Sequence, residues 1–215
     1  ASQCIKTNKA NQARMFPMLE HAEELLCEVP EFAVTAAEIF RDNLELCELV
    51  SPSLVQQFTE LVIRERRAGH FLPYYLNFFN VIVGVGTQPV PQNQRLVLDA
   101  IQSGGTKSML RIGKEMGPDK IASMSKSFVS VALLKDPEPS MFRKDRSTAD
   151  YELLYYLTCV ELLTGLARGK GPESLSNKPV VNSLLPMANI IRNLMVLEGP
   201  PAGGKFSINR HLRTR

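Results

Sequence analysis

The sequence of this chain predicts an all-α fold in which amphipathic helices stack on one another. Residues 151–197 hold two segments whose apolar side chains recur every three to four positions, as on one face of a helix. The first segment contains Leu153, Tyr156, Leu157, Val160 and Leu163, and the second contains Val180, Leu184, Met187 and Ile191. Two such helices in series, each needing a neighbour to cover its apolar face, form the unit of a helical solenoid. If Leu157 and Leu184 lie in the core, replacing either with alanine should lower the free energy of unfolding by roughly 2–5 kcal/mol.

The composition agrees with an ordinary folded protein. Of the 215 residues, 44% are hydrophobic and 22% are charged, which is typical of globular domains. The formal net charge of +3 is too small to indicate nucleic-acid binding. The sequence contains no run of about 18–20 apolar residues that would span a bilayer, and its first residues lack the apolar core of a secretory signal. We therefore expect no nucleic-acid partner and no membrane crossing within this chain.

The first part of the chain divides into two predicted helices and a short helical turn. A helix over 11–29 is kinked by Pro17, or has Pro17 in its first turn, and ends at Pro30. A second helix covers 31–41, and a helical turn runs from 43 to 50. The inward-facing residues are predicted to be Met15, Met18, Leu19, Ala22, Leu25 and Leu26 in the first helix, and Ala33, Ala36, Ala37 and Phe40 in the second.

Ser51 and Pro52 begin the next predicted helix, because serine is a preferred N-cap and proline is favoured in the first turn. Gly69 suits the left-handed conformation that ends many helices. Residues 70–83 have a helical period, although their β-branched end also admits a strand. The predicted core positions of these two segments are Leu54, Val55, Phe58, Leu61, Val62, Tyr75, Leu76, Phe79 and Ile82.

Breakers then alternate with helical segments. A loop over 86–94 leads into a helix over 92–102, which carries Leu96, Val97, Ala100 and Ile101. Residues 103–108 interrupt the pattern, 118–134 resume it, and 135–147 form a polar segment that is expected to be mobile. Ser147 and Asp150 have the spacing of a capping box before the helix at 151. About 60% or more helix is expected, in an armadillo-like, right-handed solenoid of about eight to ten helices.

The four cysteines, Cys4, Cys27, Cys47 and Cys159, are far apart and form no CxxC pair. We expect reduced thiols in a cytosolic setting. The histidines His21, His70 and His211 are scattered, without the spacing of a metal site. The sequence therefore predicts no metal and no cofactor.

Residues 199–205 (GPPAGGK) approach the spacing of a phosphate-binding loop. That chemistry needs a Ser or Thr after Lys205, where the chain has Phe206, and Pro200 and Pro201 remove backbone N–H groups that would bind phosphate. We interpret 199–215 as a basic linker or tail, with cations Lys205, Arg210, His211, Arg213 and Arg215. The protein is predicted not to be an enzyme.

One basic cluster remains as a candidate site. Arg64, Arg66 and Arg67, followed by His70, form a possible contact for an anion or a partner. Alternatively, the cluster only complements the dipole at the C-terminus of its helix. Successive helical residues are rotated by about 100°, so at most two of the three arginines are expected to face one anion.

Four segments occur in the order and spacing of a known family: NQARMFPMLEHAEELL, AAEIFRDNLELC, HFLPYYLNFFNVIV, and YLTCVELLTGLARGK with NSLLPMANII. They resemble the RIH domain, a helical domain shared by inositol trisphosphate receptors and ryanodine receptors. The similarity runs from residue 8 to residue 194 and is greater to the second, central domain of the trisphosphate receptors. Region 104–146 matches poorly, and Ala188 and Asn189 stand where the family favours acidic residues.

The resemblance implies a leader or linker over 1–7, an RIH-type armadillo domain over 8–198, and the tail over 199–215. By that resemblance the chain is a regulatory and coupling domain of a ligand-gated calcium-release channel, on the cytosolic face of the endoplasmic reticulum or a similar store. Its partners would be other domains and subunits of a homotetrameric parent that spans the membrane. The basic pocket residues of the family's first domain have no counterpart here, so weak or no inositol trisphosphate binding is expected. A free-standing adaptor of armadillo or HEAT type is the alternative.

Overall fold

Helices dominate the computed structural model and account for 76% of the residues that it describes. The described residues are 2–6, 8–21, 25–26, 29, 32–110, 119, 148–186, 188–189 and 191. The all-α prediction is therefore confirmed for this part of the chain. The predicted helix over 118–134, the segment over 135–147 and the tail over 199–215 lie outside it, apart from residue 119.

The helices are α1 (Ser2–Ile5), α2 (Lys9–Met15), a 3-10 helix (Phe16–His21), α3 (Phe32–Phe40), α4 (Leu44–Glu48), α5 (Pro52–Arg67), α6 (Pro73–Ile82), α7 (Pro91–Ser103), α8 (Thr106–Met109), α9 (Thr148–Leu166) and α10 (Pro172–Leu184). Between α6 and α7, the short strands β1 (Gly84–Val85) and β2 (Gln88–Pro89) pair in an antiparallel hairpin. The β-branched end of the 70–83 segment is helical through Ile82, and the strand begins only beyond the segment, at Gly84.

Local sequence signals place the ends of α5 as predicted. The Ser51 hydroxyl accepts a hydrogen bond from the Leu54 N–H at 3.2 Å and caps the first turn. After the last turn, Gly69 has a φ of +83°, which glycine adopts without the strain of a Cβ atom. The predicted core positions of α3, α5 and α6 are all buried.

The first predicted helix is wrong in its length and partly wrong in its buried face. It starts at Lys9 and becomes a 3-10 helix at Phe16, because Pro17 has no N–H to continue the α-helical hydrogen bonds. Leu19 and Leu26 are buried, but Met18 and Leu25 are 48% and 39% exposed. In the preceding segment, interpreted from the sequence as a leader or linker, Ile5 on α1 is buried.

The last predicted helix starts earlier than the sequence indicated. The second predicted apolar segment starts at Val180, whereas α10 begins at Pro172. Its buried side chains are Ser174, Asn177 and Val181, and Leu185 is buried just beyond its end. Two of these four are polar, so the inward face has no apolar period in its first half.

The predicted core of the last two helices is confirmed at Leu153, Tyr156 and Leu163, which are buried, but not at the other described positions. Leu157, Val160, Val180 and Leu184 are only half-buried, and Ile191 is 52% exposed. In the long helix, the buried positions include Leu154, Tyr155, Cys159 and Leu162.

Three helices form a row, with α6 packed between α3 and α9. At the start of α6, the Tyr75 hydroxyl donates to the Leu26 carbonyl, ahead of α3, at 3.2 Å. At the other end of both helices, the Cys47 thiol lies 3.4 Å from the carbonyl oxygen of Phe40, the last residue of α3, and 3.9 Å from that of Val81 in α6. The two helices therefore run in the same direction.

The contacts between α6 and α9 show the same orientation. Phe71, just before α6, has its ring 5.8 Å from the Tyr155 ring in the first half of α9. Val83, just after α6, contacts Gly165 near the end of α9, so closely that a Cβ on this glycine would lie 3.1 Å from Val83 Cγ2. All three helices of the row, α3, α6 and α9, are thus parallel.

The helices between the members of the row pack outside it. Helix α5 contacts α6, α7 and α8, and α7 contacts α10. Phe58 of α5 stacks on Phe78 of α6 with ring centroids 3.7 Å apart, and the rings of Tyr75 and Phe79 meet it edge-on. This aromatic cluster joins the outer layer to the row.

Candidate functional site

Two buried glutamines bind the C-terminal ends of helices in the row. Gln12 of α2 donates through Nε2 to the carbonyl oxygens of Glu38 and Arg41, each at 2.9 Å. Its Oε1 accepts a hydrogen bond from Asn43 Nδ2 at 3.0 Å, and Asn43 is the N-cap of α4. Gln12 therefore joins the end of α3 to the start of the next helix.

Gln94 of α7 makes the same three contacts at the end of α9. Its Nε2 donates to the carbonyl oxygens of Gly165 at 2.8 Å and Arg168 at 2.9 Å. Its Oε1 accepts from the Ser174 hydroxyl in the first turn of α10 at 2.9 Å. We call Gln12 and Gln94 the amide clamps.

A second set of amides comprises Asn11 and Asn93, each next to a clamp on the same helix, and Asn177 of α10. Each donates to a carbonyl at the end of the preceding helix: Asn11 Nδ2 to Cys4 at 2.7 Å, Asn93 Nδ2 to Ile82 at 2.9 Å, and Asn177 Nδ2 to Leu166 at 3.3 Å. Asn93 also donates to Cys47 at 2.7 Å. Free carbonyls at a helix end need such donors when they are buried.

The amide clamps were missed in our reading of the sequence. The available signal was an Asn-Gln pair that occurs both at 11–12 and at 93–94. A polar pair of this kind is common on exposed helix faces, so burial becomes visible only with the acceptor carbonyls in place.

The predicted basic cluster lies where the end of α5 meets the starts of α6 and α9. We call Arg64, Glu65, Arg66, Arg67 and His70 the arginine corner. Arg64 and His70 both contact the Glu65 carboxylate at 3.0 Å, and Arg67 is exposed. The three predicted arginines are therefore not gathered around one point.

Arg66 is the inward-facing member of the arginine corner. Its guanidinium carbon lies 4.8 Å from the centre of the Phe71 ring and 5.6 Å from that of Tyr155. Both distances are within the range of cation–π attraction. The Tyr155 hydroxyl donates to the Met109 carbonyl, and burial, chiefly, raises the pKa of Tyr155 well above its ordinary value.

Acidification is expected to weaken the arginine corner. Burial by itself would raise the pKa of Glu65, but the hydrogen bonds and charges of His70 and Arg64 lower this pKa overall. A carboxyl whose pKa is lower in the folded state stabilises the protein above its unfolded pKa, and this contribution is lost as the pH falls through the folded pKa. The stability advantage of the wild-type over Glu65→Gln should therefore shrink from roughly pH 5 to 3.

Urea unfolding of both proteins across that pH range measures this difference. Arg95→Ala, which removes an exposed ion pair to Asp99 on α7, is the control. Its difference from the wild-type should stay small, because exposed pairs contribute little. A Glu65→Gln difference that stays constant or grows on acidification would contradict the prediction.

Of the three described cysteines, Cys4 is exposed, and Cys47 and Cys159 are buried. None of these three forms a disulfide, and Cys27 lies outside the described residues. Burial first, and then the charges of Asp42 and Glu48, raise the pKa of Cys47 to about 12. Such a thiol stays protonated, so it packs as a small apolar group.

The described part of the chain contains no group of three or more His, Cys, Asp or Glu side chains placed to hold a metal ion. None of its helices is both long and apolar enough to cross a bilayer. No protein-family model matches the sequence.

Proposed function

We propose that the chain is an armadillo-like solenoid that acts as a coupling domain of an intracellular, ligand-gated calcium-release channel of the inositol trisphosphate receptor type. The observation that supports the architecture most strongly is the parallel row α3, α6 and α9. Parallel neighbours joined through outer helices are expected of stacked repeats. The channel assignment rests on the resemblance to the RIH domain.

The amide contacts support the repeat in detail. Gln12 and Gln94 make matching sets of three hydrogen bonds at the ends of two members of the row, α3 and α9. Asn93 and Asn177 bind the carbonyls at the ends of α6 and α9 in one manner. Stacked repeats are expected to show the same amide-to-carbonyl hydrogen bonds at corresponding helix ends. Helices that are not repeats of one unit have no reason to share them.

This geometry suits mechanical coupling. A helix end held by a buried clamp can shift relative to the next helix only if the hydrogen bonds of the clamp break. Breaking them would leave polar groups unpaired in a buried site, which costs free energy. Displacement of one unit is therefore passed to the next, as a channel needs when its ligand binds far from the pore. In this proposal the domain lies on the cytosolic face of the store membrane and contacts other domains of a tetrameric parent.

The burial of α6 favours coupling over the adaptor alternative. An adaptor that binds peptides along a groove needs an exposed row of helix faces. Only Asn77 and Asn80 of α6 are partly exposed, and all other residues of this helix are buried. The middle of the row therefore offers little surface to a peptide.

Coupling can be tested in the parent protein, whose sequence beyond Arg215 is expected to encode membrane-spanning segments. Asn80 Nδ2 donates to the Thr158 carbonyl between α6 and α9 at 3.4 Å. Asn80→Ala should leave ligand affinity unchanged but lower ligand-gated calcium release roughly 2- to 30-fold at subsaturating ligand. Asn182→Ala, at an exposed position of α10, is the matched control and should release calcium normally.

Two results would overturn the proposal. One is a parent sequence that ends without membrane-spanning segments, as an adaptor would. The other is unchanged calcium release by Asn80→Ala, measured in vesicles that contain equal amounts of wild-type or variant channel.

A further inference from the structure

Arg66 is a cation without a polar partner in the part of the chain that the structure describes. Its Nε atom is buried and makes no hydrogen bond. The neighbouring Glu65 carboxylate contacts Arg64 and His70 instead. Buried donors are nearly always paired in folded proteins, so the unpaired Nε–H group of Arg66 indicates a missing acceptor.

The orientation of Arg66 is set by its neighbours. The Phe71 and Tyr155 rings lie against the guanidinium, and these two rings contact each other edge-on at 5.8 Å. These ring contacts restrict the side chain without supplying a hydrogen bond to Nε. An arginine held in this way loses little side-chain freedom when it binds a ligand.

The chemistry of the site fits one carboxylate better than a phosphate. The planar fork of a guanidinium matches the two oxygens of a carboxylate. Tight binding of a phosphate-rich ligand needs several converging cations, but Arg64 is engaged by Glu65 and Arg67 is exposed on α5. The half-buried side chains of Phe71 and Leu72 add an apolar margin, and arginine with aromatic neighbours is typical of energetically important interface positions.

We propose that Arg66 is the anchor of a docking surface for an acidic segment of a neighbouring domain. One Asp or Glu carboxylate of that segment pairs with the Arg66 guanidinium. An apolar side chain next to this carboxylate in the segment covers Phe71 and Leu72. This assignment deepens the proposed coupling function, on which it rests, because it names the chemistry of one partner contact.

The test uses the 215-residue chain and two capped tripeptides, one with glutamate between two leucines and one with glutamine in its place. The side-chain Nε–H signal of Arg66, identified by its loss in Arg66→Lys, is followed by NMR during titration. We expect the glutamate peptide to shift this signal at concentrations at least five-fold lower than the glutamine peptide. Arg67→Lys, the matched control, should bind the glutamate peptide as the wild-type does.

The comparison of the two peptides on the wild-type protein is the first decisive result. Equal shifts with the two peptides would overturn the proposal, as would inorganic phosphate shifting the signal at lower concentration than the glutamate peptide. Binding of the glutamate peptide by Arg66→Lys with wild-type affinity would also overturn it. These failures are distinct from failure of the coupling proposal, which is judged by calcium release from the parent channel.

Discussion

Replacing Gln94 with alanine is expected to lower the free energy of unfolding by about 3–5 kcal/mol. The side chain is fully buried. Its loss would leave the carbonyl oxygens of Gly165 and Arg168 and the hydroxyl of Ser174 without these partners. Each buried group left unsatisfied costs about 1–3 kcal/mol, and the empty volume adds to that cost. Urea unfolding followed by circular dichroism measures the change.

Two further variants separate the causes of this loss. Gln92→Ala removes the same side chain from an exposed position of α7 and should change the unfolding free energy by less than about 0.5 kcal/mol. Gln94→Glu preserves the volume but places a carboxylate against two carbonyl oxygens, so its loss should equal or exceed that of Gln94→Ala. A stable Gln94→Glu protein would show that the hydrogen bonds do not hold the end of α9.

The second large effect is expected for Phe58→Ala, which should lower the unfolding free energy by about 3–5 kcal/mol. Phe58 has no exposed surface, and its ring stacks on Phe78 with Tyr75 and Phe79 at its edges. Truncation leaves a cavity between α5 and the row, because three neighbouring rings cannot all collapse into the space.

Phe58→Leu and Met18→Ala are the comparison variants for Phe58→Ala. The leucine refills part of the cavity and should cost less than the alanine variant. Met18 is 48% exposed, so its truncation should cost under about 1 kcal/mol. A Phe58→Ala protein that unfolds at the same urea concentration as Met18→Ala would place the aromatic cluster outside the core.

The helices with a strong apolar period were predictable from the sequence. In α5, five apolar positions, a serine cap, a first-turn proline and a terminal glycine all indicate the same helix, and the structure confirms each of them. The buried face of α3 was also predicted correctly. Such agreement arises because apolar burial is recorded directly in the spacing of apolar residues.

The amphipathic pattern was less informative near the ends of the chain. Met18 has helical spacing yet is exposed, because it lies in the 3-10 helix that starts at Phe16, whose side chains are rotated differently from those of an α-helix. Leu25, which is also predicted to face inward, is exposed as well. The predicted face of α10 was wrong because Ser174 and Asn177 occupy inward positions.

The sequence by itself determined the helical class, the capped helices and the presence of a basic cluster. Only the tertiary structure decided that Gln94 is buried, because its acceptors at Gly165 and Arg168 are more than 70 residues away along the chain. The tertiary structure also decided that Arg66 faces inward and that Arg67 is exposed. An apolar side chain is buried wherever it leaves water, whereas an amide or guanidinium is buried at low cost only where the fold supplies its partners.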